Sequence, residues 1–152
     1  MRFRFIWPGK TKDERLRSLV NEYLRRLSRF AICEVSEIRE SAARDRSAKE
    51  KEARRILEAM SSASLAVLLD ERGSELSSNQ LAAQVGKWEQ ESIKEIAIVI
   101  GGPDGVDDQV KSRAPTRWRL SRMTLTHEMA RVLVVEQLYR AYAINRGLPY
   151  QK

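Results

Sequence analysis

Residues 95–106, EIAIVIGGPDGV, constrain the fold of this chain more than any other stretch. Residues 96–100 are apolar at every position, which is typical of a central strand that is buried on both faces. The run stops at Gly101 and Gly102, and a proline, an aspartate and a third glycine follow. Because glycine lacks a Cβ atom, the backbone there can turn sharply or lie against a flat ligand. The residues therefore predict a buried strand followed by either a tight strand-to-helix turn or a binding loop.

Strand-like and helix-like segments alternate along the rest of the chain, and no internal repeat interrupts them. We expect strands at 2–7, 31–38, 65–70, 96–100 and 118–121, and helices around 16–27, 47–60, 77–90, 107–113 and 128–146. This order predicts a single α/β domain with a mostly parallel sheet and helices on both faces. Ligands of such folds bind beyond the carboxyl ends of the strands. The turns after residues 65–70 and 96–100 are thus candidate binding positions.

Shorter patterns predict where these elements begin and end. Ser47 with Glu50, and Ser77 with Gln80, have the spacing of a capping box at a helix N-terminus. Residues 71–74, around Gly73, are expected to form a turn. The first helix should bury one apolar stripe. That stripe comprises Leu16, Leu19, Val20, Tyr23, Leu24 and Leu27.

Composition and charge narrow the class of protein. Hydrophobic residues make up 42% of 152 residues, so a real core is expected. No apolar run approaches the roughly 20 residues that span a bilayer, and the N-terminal apolar segment is short for a signal peptide. A soluble cytoplasmic protein is expected. The net charge of +7, with arginine more abundant than lysine, is compatible with a nucleic-acid partner.

The common enzyme motifs are absent from the sequence. No G-x-G-x-x-G follows the first strand, and there is no G-x-x-x-x-G-K-[ST] phosphate-binding loop. Cys33 is the one cysteine and His127 the one histidine, so neither a disulfide nor a zinc site is expected, and no metal is predicted. A serine nucleophile beside His127 would lack the G-x-S-x-G elbow.

The C-terminal half carries a more specific pattern. LLD at 68–70 is followed by IGGPDG at 100–105, by LSRMTLTHEMARVLVVEQLYRAY at 120–142, and by PY at 149–150. This order, with its S-x-M-T-L-x-H-x-x-x-R spacing and its E-Q-L-Y-R-A helix, resembles the SPOUT-class RNA methyltransferases. More closely, it is similar to the RlmH family of 23S rRNA pseudouridine N3-methyltransferases. The resemblance covers essentially the whole chain.

The resemblance implies a cofactor, a topology and an assembly. The family binds S-adenosyl-L-methionine in a C-terminal trefoil knot and works as a homodimer, with ribosomal RNA in the large subunit or the 70S ribosome as its substrate. The positions that match the family's cofactor motifs, together with the second glycine of the loop, are Leu69, Gly101, Gly102, Leu120, Ser121, Arg122, Met123, Thr124 and Leu125. The glycine loop is then one wall of a cofactor pocket, because its backbone can approach the adenosine closely.

The resemblance also implies reactive residues. His127 matches the family's histidine and is a candidate general base for the N3 proton; the alternative is a structural residue at a helix N-terminus. Arg131, one helical turn further on, is expected to hold a phosphate or the cofactor, or to pair with Glu128. Tyr150 and Lys152 are candidate RNA-binding residues.

Two positions depart from the family pattern, and two other functions remain open. Thr126 stands where the family usually has proline, and the chain ends in Gln151 and Lys152 where the family usually has His-Arg. Arg140 is expected to be a surface or dimer-contact residue. One alternative function is a catalytically impaired ribosome- or RNA-binding protein, which the altered tail motivates. The other is a SPOUT methyltransferase for another RNA such as tRNA.

Overall fold

The computed structural model describes residues 1–41 and 43–150. In these ranges five strands alternate with five helices, as the sequence predicts. The strands are β1 (Arg2–Pro8), β2 (Ile32–Ile38), β3 (Leu65–Glu75), β4 (Glu95–Ile100) and β5 (Thr116–Arg119). The helices are α1 (Glu14–Leu27), α2 (Arg46–Ala59), α3 (Ser78–Gln90), α4 (Asp108–Arg113) and α5 (His127–Asn145).

The strands form one sheet in the order β2-β1-β4-β3-β5, and every neighbouring pair is parallel. β4 is the middle strand and is buried at all of its positions, which confirms the prediction from its unbroken apolar run. Since parallel strands need crossover connections, the helices between them cover both faces of the sheet. The expected α/β fold with a parallel sheet is confirmed.

Alternate residues of the strands supply two separate cores. Phe3, Phe5 and Trp7 of β1 pack into the larger core, beneath α1, α3 and α5. Ile6 of the same strand points to the other face, where it packs with α2 and α4. Because side chains of a strand alternate between the faces, this single strand contributes to both cores.

The N-termini of α2 and α3 test the two predicted capping boxes. The box at Ser77 is confirmed, since its side chain accepts from the N–H of Gln80 and the Gln80 side chain accepts in return. The box at Ser47 is wrong. Asp45 caps α2 by accepting from the N–H of Ala48, so the helix begins at Arg46 and Ser47 already lies within its first turn.

The predicted turn around Gly73 is wrong. β3 runs on through residues 71–75, and its register with β5 shifts between Leu69 and Ser74, both of which lie opposite Trp118. Residues 70–73 therefore loop out while the strand continues. A Cβ atom on Gly73 would lie 2.7 Å from backbone carbon atoms of Arg117 and Trp118, so glycine is needed here for close approach.

Three residues near the N-terminus are not placed as a simple division into buried apolar and free charged side chains would suggest. Leu19 does not belong to the buried stripe of α1, because it is 45% exposed. Arg2 and Arg4, at the start of β1, form ion pairs with Glu34 and with the buried Glu95, whose carboxylate lies 2.9 Å from Arg4 Nε. The hydrogen bond from Arg4 lowers the pKa of Glu95, so this carboxylate stays charged within the sheet.

Candidate cofactor and catalytic site

The register of the three strands β4, β3 and β5 brings the predicted cofactor residues to one edge. Leu69 lies opposite Ile100 on one side and opposite Trp118 on the other. Gly101 directly follows Ile100 in the chain, and Leu120 comes two residues after Trp118. Because the sheet is parallel, β4 and β5 end at the same carboxyl edge, next to the point where residues 70–73 loop out of β3. Residues far apart in sequence thus meet where a ligand is expected.

The glycine loop is both a tight turn and a part of this edge. Gly105 donates its N–H to the carbonyl of Gly102 at 3.0 Å and has φ of +74°, a conformation that favours glycine. A Cβ atom on Gly101 would lie 3.0 Å from Val106 Cγ1, inside the loop itself. Asp107 then caps α4. The glycines can therefore form a tight turn and a wall of a binding site at the same time.

Residues 120–126 form an open segment between β5 and α5. β5 ends at Arg119, two residues before the predicted end, so Leu120 and Ser121 lie outside the strand. Ser121 Oγ accepts from the N–H of Met123 at 3.0 Å, and the Met123 side chain is 79% exposed. The remaining backbone of the segment belongs to neither helix nor strand, so its N–H and C=O groups are not committed to a ladder.

A carboxylate that the sequence did not single out holds this segment. Glu75, at the end of β3, lies 2.7 Å from Arg119 Nη2 and 3.3 Å from Arg122 Nε. It reaches both arginines because β3 continues past its looped-out residues. The signal in the sequence was weak, since Glu75 lies in a stretch that is typical of a polar turn.

The residues at this edge fit an adenosine-containing cofactor. Leu69, Leu120 and Leu125 are half-buried apolar side chains that suit the flat face of a purine. Beside them, Gly101 and Gly102 present backbone without side chains. The uncommitted N–H and C=O groups of residues 121–125 can read the polar edge of the base. Apolar surface and free backbone groups together match the ligand that the sequence predicts.

His127 and Arg131 lie next to this edge, at the start of α5. Thr126 caps the helix by accepting from the N–H of Met129, and His127 is the half-buried first residue of the helix. The cap explains how threonine serves where the related sequences have proline, since its hydroxyl satisfies a helix N–H group. Glu128 accepts from the N–H of Asp13, which ties the helix start to the β1–α1 loop.

Arg131 is fully buried, and its guanidinium is engaged by backbone. It donates to the carbonyls of Pro8 at 2.7 Å and Gly9 at 3.2 Å and to the Thr11 hydroxyl at 3.1 Å, and it lies 5.0 Å from the centre of the Trp7 ring. Burial lowers the pKa of Arg131, since desolvation disfavours its charged form. The expected pairing with Glu128 is absent among the hydrogen bonds and ion pairs of the described residues.

The β1–α1 loop links Arg131 to the glycine loop. A Cβ atom on Gly102 would lie 3.7 Å from Pro8 Cγ, an ordinary packing distance. Arg131 holds the carbonyl of the same Pro8. Removing Arg131 would therefore free the loop on which the glycine loop rests.

Tyr150 lies apart from these residues. Its hydroxyl donates to Glu136 at 2.8 Å, and its ring packs against Tyr139, two turns further along α5 than Arg131. Burial, followed by hydrogen bonds with Tyr23 and Glu136, raises the pKa of Tyr150. Arg140 lies over its ring and pairs with Glu136 at 2.6 Å. Lys152, the other predicted RNA-binding residue, lies outside the described residues.

Metal-ligand groups and membrane-spanning helices are two further features that bear on function. Within residues 1–41 and 43–150, no three His, Cys, Asp or Glu side chains are grouped so that they can hold a metal ion. None of the described helices is both long and apolar enough to cross a membrane.

Comparisons with known proteins agree with the geometry. A family model described as "Predicted SPOUT methyltransferase" matches residues 1–151. A putative ribosomal RNA large subunit methyltransferase H from Methanoregula boonei is 44% identical, with 100% of both chains covered. The ribosomal RNA large subunit methyltransferase H of Geobacter metallireducens is 39% identical over 99% of this chain and 98% of its own.

A solved structure of a probable methyltransferase from Bordetella pertussis has the same fold. It superposes with a TM-score of 0.60 at 16% identity, and the match covers 92% of this chain and 93% of that one. The family model matches residues 1–151, and both relatives are more than 30% identical to this chain. It belongs to the SPOUT methyltransferase family.

Proposed function

We propose that this protein transfers a methyl group from S-adenosylmethionine to N3 of a pseudouridine in 23S ribosomal RNA, on the assembled ribosome. Membership of the SPOUT family supports the cofactor. Two relatives that match over nearly their whole length carry the name ribosomal RNA large subunit methyltransferase H, one of them as putative. These names support the substrate. The net charge of +7 suits a polyanionic partner.

One observation carries the proposal. The strand register sets Leu69 between Ile100 and Trp118, so the glycine loop and residues 120–125 leave the same edge beside it. These segments lie far apart in the sequence, and the pairing of the strands brings them together. Their convergence produces the mixture of apolar side chains and free backbone groups that adenosine needs.

The residues around this edge have distinct roles in the proposed reaction. When bound, S-adenosylmethionine supplies an electrophilic methyl group. Leu69, Gly101, Gly102 and residues 120–125 bind and orient the cofactor, and alignment of two reactants provides much of the rate in a displacement. His127 accepts the N3 proton through an imidazole nitrogen. Arg131 is a positioning residue, since it holds the β1–α1 loop and has no free face toward substrate.

Assembly and location complete the proposal. We propose a homodimer that packs through α1 and α5, because Leu19 and Met129 remain exposed on these two adjacent helices. The trefoil knot is proposed from the family. A cytoplasmic location follows from a ribosomal substrate. Tyr150 and Lys152 are proposed to approach RNA in the dimer.

The first experiment is calorimetric titration of S-adenosylmethionine into the wild-type protein and into Gly101→Trp. We expect saturable binding to the wild type and none to the variant, since even a Cβ atom at Gly101 lies 3.0 Å from Val106. Gly86→Ala is the matched control, because the added methyl group meets its nearest neighbour at an ordinary 3.5 Å and lies away from the edge.

A methylation assay on purified ribosomes then tests the substrate. The expected result is one methyl group per ribosome on a pseudouridine, located by mass spectrometry of nuclease fragments. Absence of cofactor binding to the wild type at millimolar concentration would contradict the enzymatic proposal. Cofactor binding with methylation of tRNA alone would contradict the proposed substrate.

A further inference from the structure

The basic residues of the C-terminal half are concentrated in one acid-free stretch. Residues 109–127 contain no aspartate or glutamate. The basic side chains in this stretch are Lys111, Arg113, Arg117, Arg119 and Arg122. Their five positive charges amount to more than half of the protein's net charge of +7. The stretch includes all of β5 and the open segment that follows it, so the excess charge lies beside the cofactor edge.

The fold exposes these arginines along one border of the sheet. β5 is the outermost strand and pairs only with β3 among the described strands. Trp118 points into the core, so Arg117 and Arg119 share the opposite face of the strand. Arg113 is exposed at the end of α4, and Arg122 is exposed beyond β5. We call Arg113, Arg117, Arg119 and Arg122 the β5 arginine surface.

Nearby carboxylates neutralise only part of this surface. Asp70 lies 3.8 Å from Arg117, and Glu75 is shared between Arg119 and Arg122. Arg113 is exposed and has no ion pair within residues 1–41 and 43–150. Two carboxylates therefore face four guanidinium groups. Donors remain available for an anion.

A second region, between the glycine loop and α2, has the reverse charge. A cavity of about 230 Å³ separates this loop from α2, and its acidic lining consists of Glu52, Asp104, Asp107 and Asp108, with Lys49 as the basic member. Burial raises the pKa of Glu52, with the neighbouring Glu40 and Asp104 adding to the shift. A polyanion would be repelled on that side, so the β5 border is the favourable approach to the cofactor edge.

We infer that the β5 arginine surface binds the phosphates of the RNA strand that flanks the target nucleotide. Arginine suits this role because its planar group can donate two parallel hydrogen bonds to one phosphate. The surface runs directly into residues 120–125, so a strand held along β5 has its next nucleotides at the cofactor edge. This inference rests on the proposed function and adds the RNA path to it.

The test compares two double variants that remove the same charge. Arg113→Gln with Arg117→Gln alters the β5 arginine surface outside the cofactor segment. Lys51→Gln with Arg54→Gln is the matched control, because both residues are exposed on α2 and neither forms an ion pair in the described part of the chain. Binding of transcribed 23S rRNA is measured by filter retention across a series of NaCl concentrations. Circular dichroism checks that each variant is folded.

The expected result is specific to the β5 arginine surface. We expect Arg113→Gln with Arg117→Gln to weaken RNA binding about tenfold. The magnitude of the slope of log K against log [NaCl] should fall by about 1 to 2, since each lost phosphate contact reduces it by about 0.7–0.9. The control should change affinity less than threefold. Affinity for S-adenosylmethionine should match the wild type in both variants.

Two results would overturn the inference. One is an unchanged affinity and slope in the β5 variant. The other is an equal loss in the α2 control, which would assign the effect to net charge alone. Failure of the proposed function has a different signature, because the wild type would then neither bind S-adenosylmethionine nor methylate ribosomes, whatever the RNA-binding results.

Discussion

Replacing Gly73 by alanine tests the contact between the looped-out residues of β3 and the β5 strand. The added Cβ atom would lie 2.7 Å from the carbonyl carbons of Arg117 and Trp118 and 2.8 Å from the Arg117 oxygen. Ordinary van der Waals contact begins at 3.4 Å, so one of the two segments must move by about 0.7 Å. All three neighbours are backbone atoms, and no side-chain rotation can relieve the overlap. We expect a loss of about 3 kcal/mol in the free energy of unfolding, at the upper end of overpacking costs.

Urea denaturation followed by tryptophan fluorescence measures this loss, because Trp88 and Trp118 stack in the core at 5.8 Å. Protein concentration is held constant, since dimerisation would change the apparent stability. Gly86→Ala is the control: its methyl group has room, and alanine favours a helix by up to about 1 kcal/mol. The displaced β5 also carries residues 120–125, so affinity for S-adenosylmethionine should fall at least tenfold. A Gly73→Ala protein within about 1 kcal/mol of wild type would refute the close-approach reasoning.

Three other substitutions and one chemical treatment have defined expected outcomes. Arg131→Met should lower the free energy of unfolding by about 3 kcal/mol in a denaturation experiment, because buried acceptors of the β1–α1 loop lose a charged donor; a loss below 1 kcal/mol would contradict the positioning role. Tyr150→Phe should cost about 1 kcal/mol by removing the hydrogen bond to Glu136, and an unchanged stability would show that the tail is not held by it. Burial raises the pKa of Cys33 to about 12, so iodoacetamide should alkylate the native protein at pH 8.5 at least a hundredfold more slowly than the urea-unfolded protein. Because the folded thiol keeps its proton, Cys33 should also lower stability as pH rises above 9, and Cys33→Ala should remove that contribution.

The sheet was predictable because its signals are local. The unbroken apolar run of residues 96–100 identified the central strand, and the strand predicted at residues 2–7 has Phe3, Phe5 and Trp7 on one buried face. The parallel arrangement followed from the alternation of strands and helices. These features depend on the period of the side chains in each segment, which a sequence displays directly.

The predictions of a turn at Gly73 and of a pairing of Arg131 with Glu128 failed because contacts over long sequence distances override local patterns. The cap of α2 differs for a local reason, since Asp45 and not Ser47 is its N-cap. Gly73 is typical of a turn when read locally, yet it lies within a strand because β5 packs against it. The role of Arg131 depends on carbonyls about 122 residues away in sequence. The candidate cofactor residues were identified through family resemblance, and the strand register brings their segments to one edge, but their roles stay predictions.

The contact between Arg131 and the β1–α1 loop has a consequence for biosynthesis. The carbonyls of Pro8 and Gly9 precede their donor along the chain by 123 and 122 residues, so they leave the ribosomal exit tunnel well before it. Until Arg131 emerges, these two carbonyls lack their charged donor, and the glycine loop lacks this support. The nascent chain can pair β1 with β2 and β4, and β4 with β3, but the cofactor edge is completed only after most of α5 has been synthesised.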